Sequence, residues 1–465
     1  MILLLERAAA EVPDHPAVVT GDGTTTYGEL RSAARRVAGG LVAHGLARFA
    51  LVEPDAARIV QLLAGAALVG SEPCQYQADM DPAEFAAQAA SLGHDVVVTR
   101  RRDLEGRFRI IDPDELASAQ PDDRPGPGSD QPLLIRTTGT TGVPKAARHD
   151  WSILGRTVTS AVPRRDQRWL LAYGPHQFAG LQVIQHVLAS QATLVAPFPR
   201  QPRDGIDALL SAGVTCVSAT PTYWRFLLAE ARSRQVTLPP LEQVTLGGEA
   251  SPADLLEELG ATFPEARVSQ VYASTEFGSL VSVRDGRPGL DAAVLHSEAN
   301  PTANLRVDGG ELWVRAGAGM LSYVDAPDDA PDDAPDDAPH AADEWQPTGD
   351  LVEVVDGRVL FRGRNSEVIN VGGVKVHPLP VEERISALDG VAAARVFGRA
   401  NRLTGAIVAA EVVPVDGIDD ERLERLRDQI RDAVADLPRA WQPRSVTFVE
   451  AIETRGDKTV RRVEA

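Results

Sequence analysis

Thr137-Thr138-Gly139-Thr140-Thr141-Gly142-Val143-Pro144-Lys145 sets the terms for the rest of the chain. Four threonines, two glycines, a proline and a lysine crowd into nine residues, directly after the apolar run Pro132-Leu133-Leu134-Ile135. The apolar run reads as a buried strand. The glycines open backbone angles that other residues avoid, so the loop can wrap around an anion. Hydroxyls and freed N–H groups then donate to phosphate oxygens, and Lys145 adds positive charge. The spacing excludes a Walker loop, which needs four residues between its glycines and a lysine directly after the second. A polar surface turn is the plainer alternative, but the composition is far from ordinary loop usage.

The surroundings fit an enzyme of two or three domains. The 465 residues are enough for several real cores, and 43% hydrophobic with 24% charged residues is globular usage. A formal net charge of -19 argues against nucleic acid or an anionic membrane surface as partner. Seven of those charges are aspartates between Asp325 and Asp337, where Ala-Pro-Asp-Asp occurs three times; without them the chain carries -12. Regular proline and repelling carboxylates make residues 325–343 an acidic low-complexity loop, and a poor chelator. Cys74 and Cys216 imply neither a disulfide framework nor a zinc site, and fit a reducing compartment. The start, Met1-Ile2-Leu3-Leu4-Leu5-Glu6, has no basic n-region and too short an apolar run for a signal peptide or membrane span. The expectation is a cytosolic enzyme.

Before the loop, helix-like spacing over 2–10, 29–45 and 57–69 alternates with strand-like Thr24-Thr25-Thr26-Tyr27, Phe49-Ala50-Leu51-Val52 and Asp95-Val96-Val97-Val98-Thr99. The alternation predicts a layered α/β domain, with no chemistry assigned to this half. After the loop, Trp169-Leu170-Leu171-Ala172-Tyr173 reads as a strand end. Gly174-Pro175-His176-Gln177-Phe178-Ala179-Gly180-Leu181 follows. Val214-Thr215-Cys216-Val217-Ser218-Ala219 reads as a strand, and Thr220-Pro221 opens a helix. Val244-Thr245-Leu246 ends in the turn Gly247-Gly248-Glu249-Ala250. Further on stand Tyr272-Ala273-Ser274-Thr275-Glu276, Thr348-Gly349-Asp350, Gly363-Arg364-Asn365-Ser366, Val371-Gly372-Gly373-Val374-Lys375, and Thr454-Arg455-Gly456-Asp457-Lys458-Thr459-Val460-Arg461. Gly357 marks a hairpin between 351–355 and 358–361. Residues beyond 364 alternate strand and helix patterns, as in a small α+β unit.

In this order, these stretches resemble the signatures of the adenylate-forming superfamily: acyl- and aryl-CoA ligases, luciferases and adenylation domains. The resemblance runs from about Thr26 to Arg461. Departures are Thr138 for the usual Ser, Ala146 and Ala273 for glycines, Ser366 at the hinge, Pro380 for a Glu, and Asp457 for a Gly. The fold implied is α/β, a large layered N-terminal domain with several sheets (1–363) plus a small mobile α+β lid (364–465).

The resemblance also implies roles. Thr137, Thr138, Gly139, Thr140, Thr141, Gly142 and Lys145 would hold the ATP phosphates. Gly247, Gly248, Glu249 and Ala250 would border adenine and the acyl group, and Tyr272 would stack on adenine beside Ala273. Thr275 would bond the α-phosphate and Glu276 would hold Mg²⁺. Asp350 would accept from the ribose hydroxyls and Arg364 would contact ribose or phosphate. His176, Phe178, Gly180 and Gly247 would line the acid pocket. Lys458 would bridge carboxylate and α-phosphate, and Gly372 and Gly373 would border the incoming thiol. No Asp or Glu lies between Trp169 and Gln191, which argues against an α-amino acid, whose ammonium would be buried unpaired.

The expected reaction is activation of a carboxylic acid as acyl-adenylate with release of pyrophosphate, then transfer to CoA. Loading of a carrier protein, adenylation of an acid such as nitrite for attack by an amine, and a nucleotide-binding regulatory protein without catalysis stand as alternatives.

Overall fold

The computed structural model describes residues 1–125, 131–137, 145–158, 161–196, 198–199, 201–315, 319–324, 344–415, 418–452, 454–455, 458–459 and 461. Two large sheets dominate the N-terminal part. One has eight strands in the order Gly278–Val283, Arg267–Ser274, Gln243–Gly247, Cys216–Ala219, Arg168–Leu170, Thr193–Val195, Pro16–Thr20, Gly23–Thr26. The other has seven: Ser322–Val324, Lys145–Asp150, Pro132–Thr137, Glu72–Gln75, Arg48–Val52, Val96–Thr99, Arg109–Ile111.

Helices Ile2–Glu11, Tyr27–Ala43, Ala56–Val69 and Phe178–Ser190 share one core with residues of both sheets, including Val18 and Leu194 from the first and Phe49 and Ile135 from the second. Helix Ala56–Val69 is apolar almost all round, as a helix with neighbours on every side must be. Its Gly65 lets the backbone touch helix Tyr27–Ala43: a Cβ there would stand 2.7 Å from the carbonyl oxygen of Ala34. Tyr27, expected in a strand, opens this helix instead. Thr26 caps it, accepting from the Glu29 N–H while Glu29 accepts from the Thr26 N–H at 2.8 Å, and this reciprocal cap outweighs a β-favouring residue.

The outer face of the eight-stranded sheet is covered by helices Pro202–Ser211, Pro221–Ser233 and Ala253–Thr262. Helix Pro82–Ser91 covers the seven-stranded one. A five-stranded sheet, ordered Leu290–Asp291, Arg358–Arg364, Trp345–Val355, Glu311–Arg315, Leu305–Asp308, has its own small core. Gly357 turns its hairpin at φ 74°. After Arg364 a separate core forms around Ile369, Val396, Val408 and Ile430. It packs strands Val374–Val376, Ile369–Val371, Gly405–Pro414, Val391–Asn401 and Ser445–Phe448 against helices Pro378–Ser386 and Asp420–Ala433. The architecture is therefore mixed α/β with several sheets in a large N-terminal part and a smaller α+β C-terminal part. Among the described residues no helix is long and apolar enough to cross a membrane.

Candidate active site

Strands Arg168–Leu170, Cys216–Ala219, Gln243–Gly247 and Arg267–Ser274 run parallel, and residues at and after their ends line a cleft of about 2670 Å³. Strand Gln243–Gly247 delivers Gly248, Glu249 and Ala250 to it. Gly248 has φ 85°, which bends the chain off the strand. Strand Arg267–Ser274 delivers Tyr272, Ala273, Thr275 and Glu276. The turn after it is pinned twice: Phe277 N–H donates to Ser274 Oγ at 3.0 Å, and Met320 N–H donates to the Glu276 carbonyl at 2.7 Å. Asp350, Gly363 and Arg364 reach the same cleft from the five-stranded sheet.

Tyr272, Asp350 and Arg364, expected around the nucleotide, bind one another. The Tyr272 hydroxyl donates to Asp350 Oδ2 at 2.7 Å, and Arg364 Nε lies 3.1 Å from Asp350 Oδ1. Asp350 and Arg364 are opposite one another across the two antiparallel strands, which sets the pair. Burial, followed by the Asp350 carboxylate, holds the Tyr272 phenol above its ordinary range, so the ring stays protonated and donating. Phe361 stands behind it, ring centroids 5.2 Å apart.

Of the threonine-rich stretch, Thr138, Gly139, Thr140, Thr141 and Gly142 lie outside the described residues. Its two ends are defined. Thr137 and Lys145 face each other in register on antiparallel neighbours, and Thr137 lines the cleft. The Lys145 ammonium sits 5.0 Å above the ring of Tyr323, and the Tyr323 hydroxyl donates to Glu276 Oε1 at 3.3 Å. One aromatic side chain thus joins the lysine after the loop to the carboxylate expected to hold metal. Among the described residues no group of three acidic, His or Cys side chains could hold a metal by itself. Glu276 alone suits Mg²⁺, which is usually bound through one or two carboxylates plus substrate phosphates.

The acid end is partly filled. The Tyr173 hydroxyl donates to the Gly247 carbonyl at 3.0 Å, laying a phenol across the turn. His176 and Phe178 line the cleft. Burial, with Arg136 contributing, lowers the His176 imidazole to about 3, so it is a neutral wall. Gly180 is turned away into packing, where a Cβ would meet the Gly174 carbonyl oxygen at 2.3 Å. Glu249 is engaged as a helix cap, accepting from the Thr222 N–H at 3.0 Å.

The C-terminal part closes one side through Ala393, Arg395, Glu382 and Arg461. Arg461 is clamped: Nε lies 2.7 and 2.8 Å from the two oxygens of Glu382, and Glu382 also accepts from the Val396 N–H at 2.7 Å. Lys458 is placed by its backbone, paired with Arg455 in the hairpin Thr454–Arg455 and Lys458–Thr459; Asp457 lies outside the described residues. Gly372 and Gly373 turn the hairpin after Ile369–Val371 with φ 57° and 90°, and are not among the described residues lining the cleft.

Three contributors had no assigned role in the sequence: Tyr323, Arg136 and the Glu382 partner of Arg461. A lone arginine closing the apolar run 132–135 was the readable signal for Arg136. Tyr323 adjoins the acidic repeat and showed none.

Profiles of known families place this arrangement. "AMP-binding enzyme" matches residues 5–324 and "AMP-binding enzyme C-terminal domain" matches 380–458. The chain belongs to the AMP-binding enzymes, the adenylate-forming superfamily. Among individual proteins it is similar to the feruloyl-CoA synthase of an Amycolatopsis species, 27% identical over 98% of this chain and 96% of that one. It is also 27% identical to a medium/long-chain-fatty-acid–[acyl-carrier-protein] ligase of Mycobacterium tuberculosis, over 65% of this chain and 60% of that one; the match spans less than two thirds of that relative's length. Its fold is similar to that of the anthranilate CoA ligase solved with anthranoyl-AMP, with TM-score 0.82, 20% identity, and 99% and 95% of the two chains covered.

Proposed function

We propose that the protein is an AMP-forming acid–thiol ligase. It joins a carboxylic acid to the α-phosphate of ATP, releases pyrophosphate, and passes the acyl group to a thiol. The observation that carries this reading is the convergence of Tyr272, Asp350, Arg364 and Glu276 on one cleft, beside the two strands that bracket the threonine-rich loop. Such a reaction needs positioning and charge neutralisation more than covalent chemistry from the protein. Tyr272 offers a flat wall for adenine, with Gly248, Glu249 and Ala250 opposite. Asp350 takes the ribose hydroxyls once Arg364 yields. Thr275 and Lys145 hold phosphate oxygens. Glu276 holds Mg²⁺, which supplies neutralising charge to the triphosphate when bound. His176, being neutral, gives the acid a wall without attracting or repelling its charge. Lys458 is the cation delivered between carboxylate and α-phosphate by the C-terminal part.

Residues 1–363 would form the adenylating body and 364–465 the lid. The Arg461 end of the tail borders the cleft while Gly372 and Gly373 stand outside it, an arrangement that suits the adenylation half-reaction. Exchange of the two would bring in the thiol. CoA is the leading acceptor, because the feruloyl-CoA synthase match is end to end. A carrier protein is the second reading, favoured by the partial match to the acyl-carrier-protein ligase. Two buried free cysteines suit a cytoplasmic protein.

The test is pyrophosphate release from MgATP with a panel of acids, then product analysis with CoA or a phosphopantetheinylated carrier. Stimulation by one acid class supports the reading, and silence with every acid overturns it. Lys458→Ala should lower adenylate formation by about a thousandfold while sparing thioester formation from preformed adenylate. Equal loss of both halves would remove Lys458 from that role.

A further inference from the structure

Strand Pro132–Thr137 is buried and apolar through Ile135, then places a guanidinium one residue before the threonine-rich loop begins. Arg136 is held firmly. Its guanidinium lies over the Tyr76 ring, 4.2 Å from the centroid. Its Nη1 donates to Oε1 of Gln88, and Gln88 Nε2 donates in turn to Glu84 Oε1 at 2.9 Å. Tyr76 is fully buried and Gln88 nearly so, so neither support is a loose surface contact.

What Arg136 lacks among the described residues is a counter-charge. Its Nε is buried with no hydrogen-bond partner among the described residues. Among the described residues no carboxylate lies within ion-pair distance of it, although most other arginines of this half are so paired. Residues 138–144 contain no acid, so the adjoining loop cannot supply one. A partly buried guanidinium left in this state is costly unless something anionic completes it. Arg136, Tyr76 and Gln88 all line the active-site cleft, as does His176, whose neutrality Arg136 helps to enforce. The missing partner therefore has access from the cleft.

The geometry points to Arg136 as an anion subsite of the cleft that takes an oxyanion of a bound reactant. An arginine fork fixed by stacking presents its remaining donors to two oxygens at once, which suits carboxylate and phosphate alike. Two sources have that chemistry: the outgoing phosphates of ATP, or a second acidic group on the acid being activated. The inference rests on the adenylation reading for the identity of those reactants. The presence of the subsite does not.

Two arms distinguish the sources. Pyrophosphate release is measured for matched acids, butyrate against succinate and benzoate against phthalate, in the wild type, Arg136→Gln and Arg136→Lys. The Michaelis constant for MgATP and inhibition by inorganic pyrophosphate are read in the same assays. A substrate anion predicts that the diacid-to-monoacid ratio of kcat/KM falls on the order of a hundredfold in Arg136→Gln, with MgATP unaffected. A phosphate source predicts a similar rise in the pyrophosphate inhibition constant for every acid. Arg136→Lys recovers part of either effect. Calorimetric titration with pyrophosphate, succinate and phthalate, without turnover, separates the inference from the proposed reaction. Binding that is lost in Arg136→Gln while no acid is activated keeps the subsite and sinks the reaction. Wild-type discrimination and wild-type affinities in a folded Arg136→Gln overturn the inference and leave Arg136 a packing residue. A variant that merely melts earlier does the same.

Discussion

The two ends of the cleft solve the same electrostatic problem in opposite ways. At the end proposed for the ribose the protein satisfies itself, because Asp350 already has the Tyr272 hydroxyl and the Arg364 guanidinium. A ligand there exchanges one set of hydrogen bonds for another, so its net gain is small and its geometry must be right. At the end proposed for the phosphates, charges are left open among the described residues. Among the described residues Lys145 has an aromatic face, Glu276 one long hydrogen bond to Tyr323, and Arg136 no carboxylate within ion-pair distance. A ligand there supplies what is missing. On the proposed function, the difference makes specificity for the nucleoside and response to its charge separable properties of this site.

Four measurements would break or sharpen that contrast. Glu276→Gln should have the largest effect, lowering kcat for pyrophosphate release by about two to three orders of magnitude and raising the Mg²⁺ needed. Asp350→Asn should act differently, raising KM for ATP by roughly ten- to a hundredfold with a smaller change in kcat. Equal kcat losses in the two variants would erase the distinction. Tyr323→Phe keeps the ring beneath Lys145 but loses the bond to Glu276. It should cost about tenfold in kcat with a shifted Mg²⁺ dependence, whereas Tyr323→Leu should also weaken ATP. An unshifted Mg²⁺ profile in Tyr323→Phe would show that the tyrosine only packs.

The smallest effect concerns pH and stability. Burial lowers His94 and His149 to about 4, against an ordinary 6.5. Below pH 6.5 the unfolded chain takes up protons that the folded chain refuses, so stability falls as pH drops from about 6.5 towards 4 and is fully present above that window. Both residues pack at the seven-stranded sheet, His149 in the strand that follows the loop and His94 against Tyr76. The melting temperature should fall by several degrees between pH 7 and pH 5. Amide exchange in Pro132–Thr137 should quicken before that in Trp345–Val355. Simultaneous loosening of both would mean the two ends are not independent.

Much of this was legible in the residues, because the signatures are local. Strand, turn and charged residue follow one another within a few positions at 244–250, 270–276 and 348–350, and the structure brings all three to one cleft. What escaped was relational. Glu249 lines the cleft as expected, but its second task, capping a helix that begins at Pro221, was not visible. Gly180 looked like a pocket residue but meets a backbone carbonyl. Tyr323 matters only because strand Ser322–Val324 pairs beside Lys145–Asp150, a contact across more than 170 positions. Arg136 depends on a helix, Pro82–Ser91, in the half to which no chemistry was assigned. Local patterns report what a segment can do, and non-local pairing decides which neighbours let it.

The clamp on Arg461 carries a kinetic consequence. Arg461 stands three positions after Lys458, a leash of roughly 10 Å at full stretch. Arg461 is gripped by Glu382, and Glu382 is anchored to the strand behind it, so a Lys458 acting as proposed would be tethered to the C-terminal part instead of searching for the cleft by its own diffusion. In the proposed mechanism it would arrive as cargo, on a timetable set by the swing of the whole lobe. Cutting the leash at Arg461 would turn a scheduled delivery into a random walk.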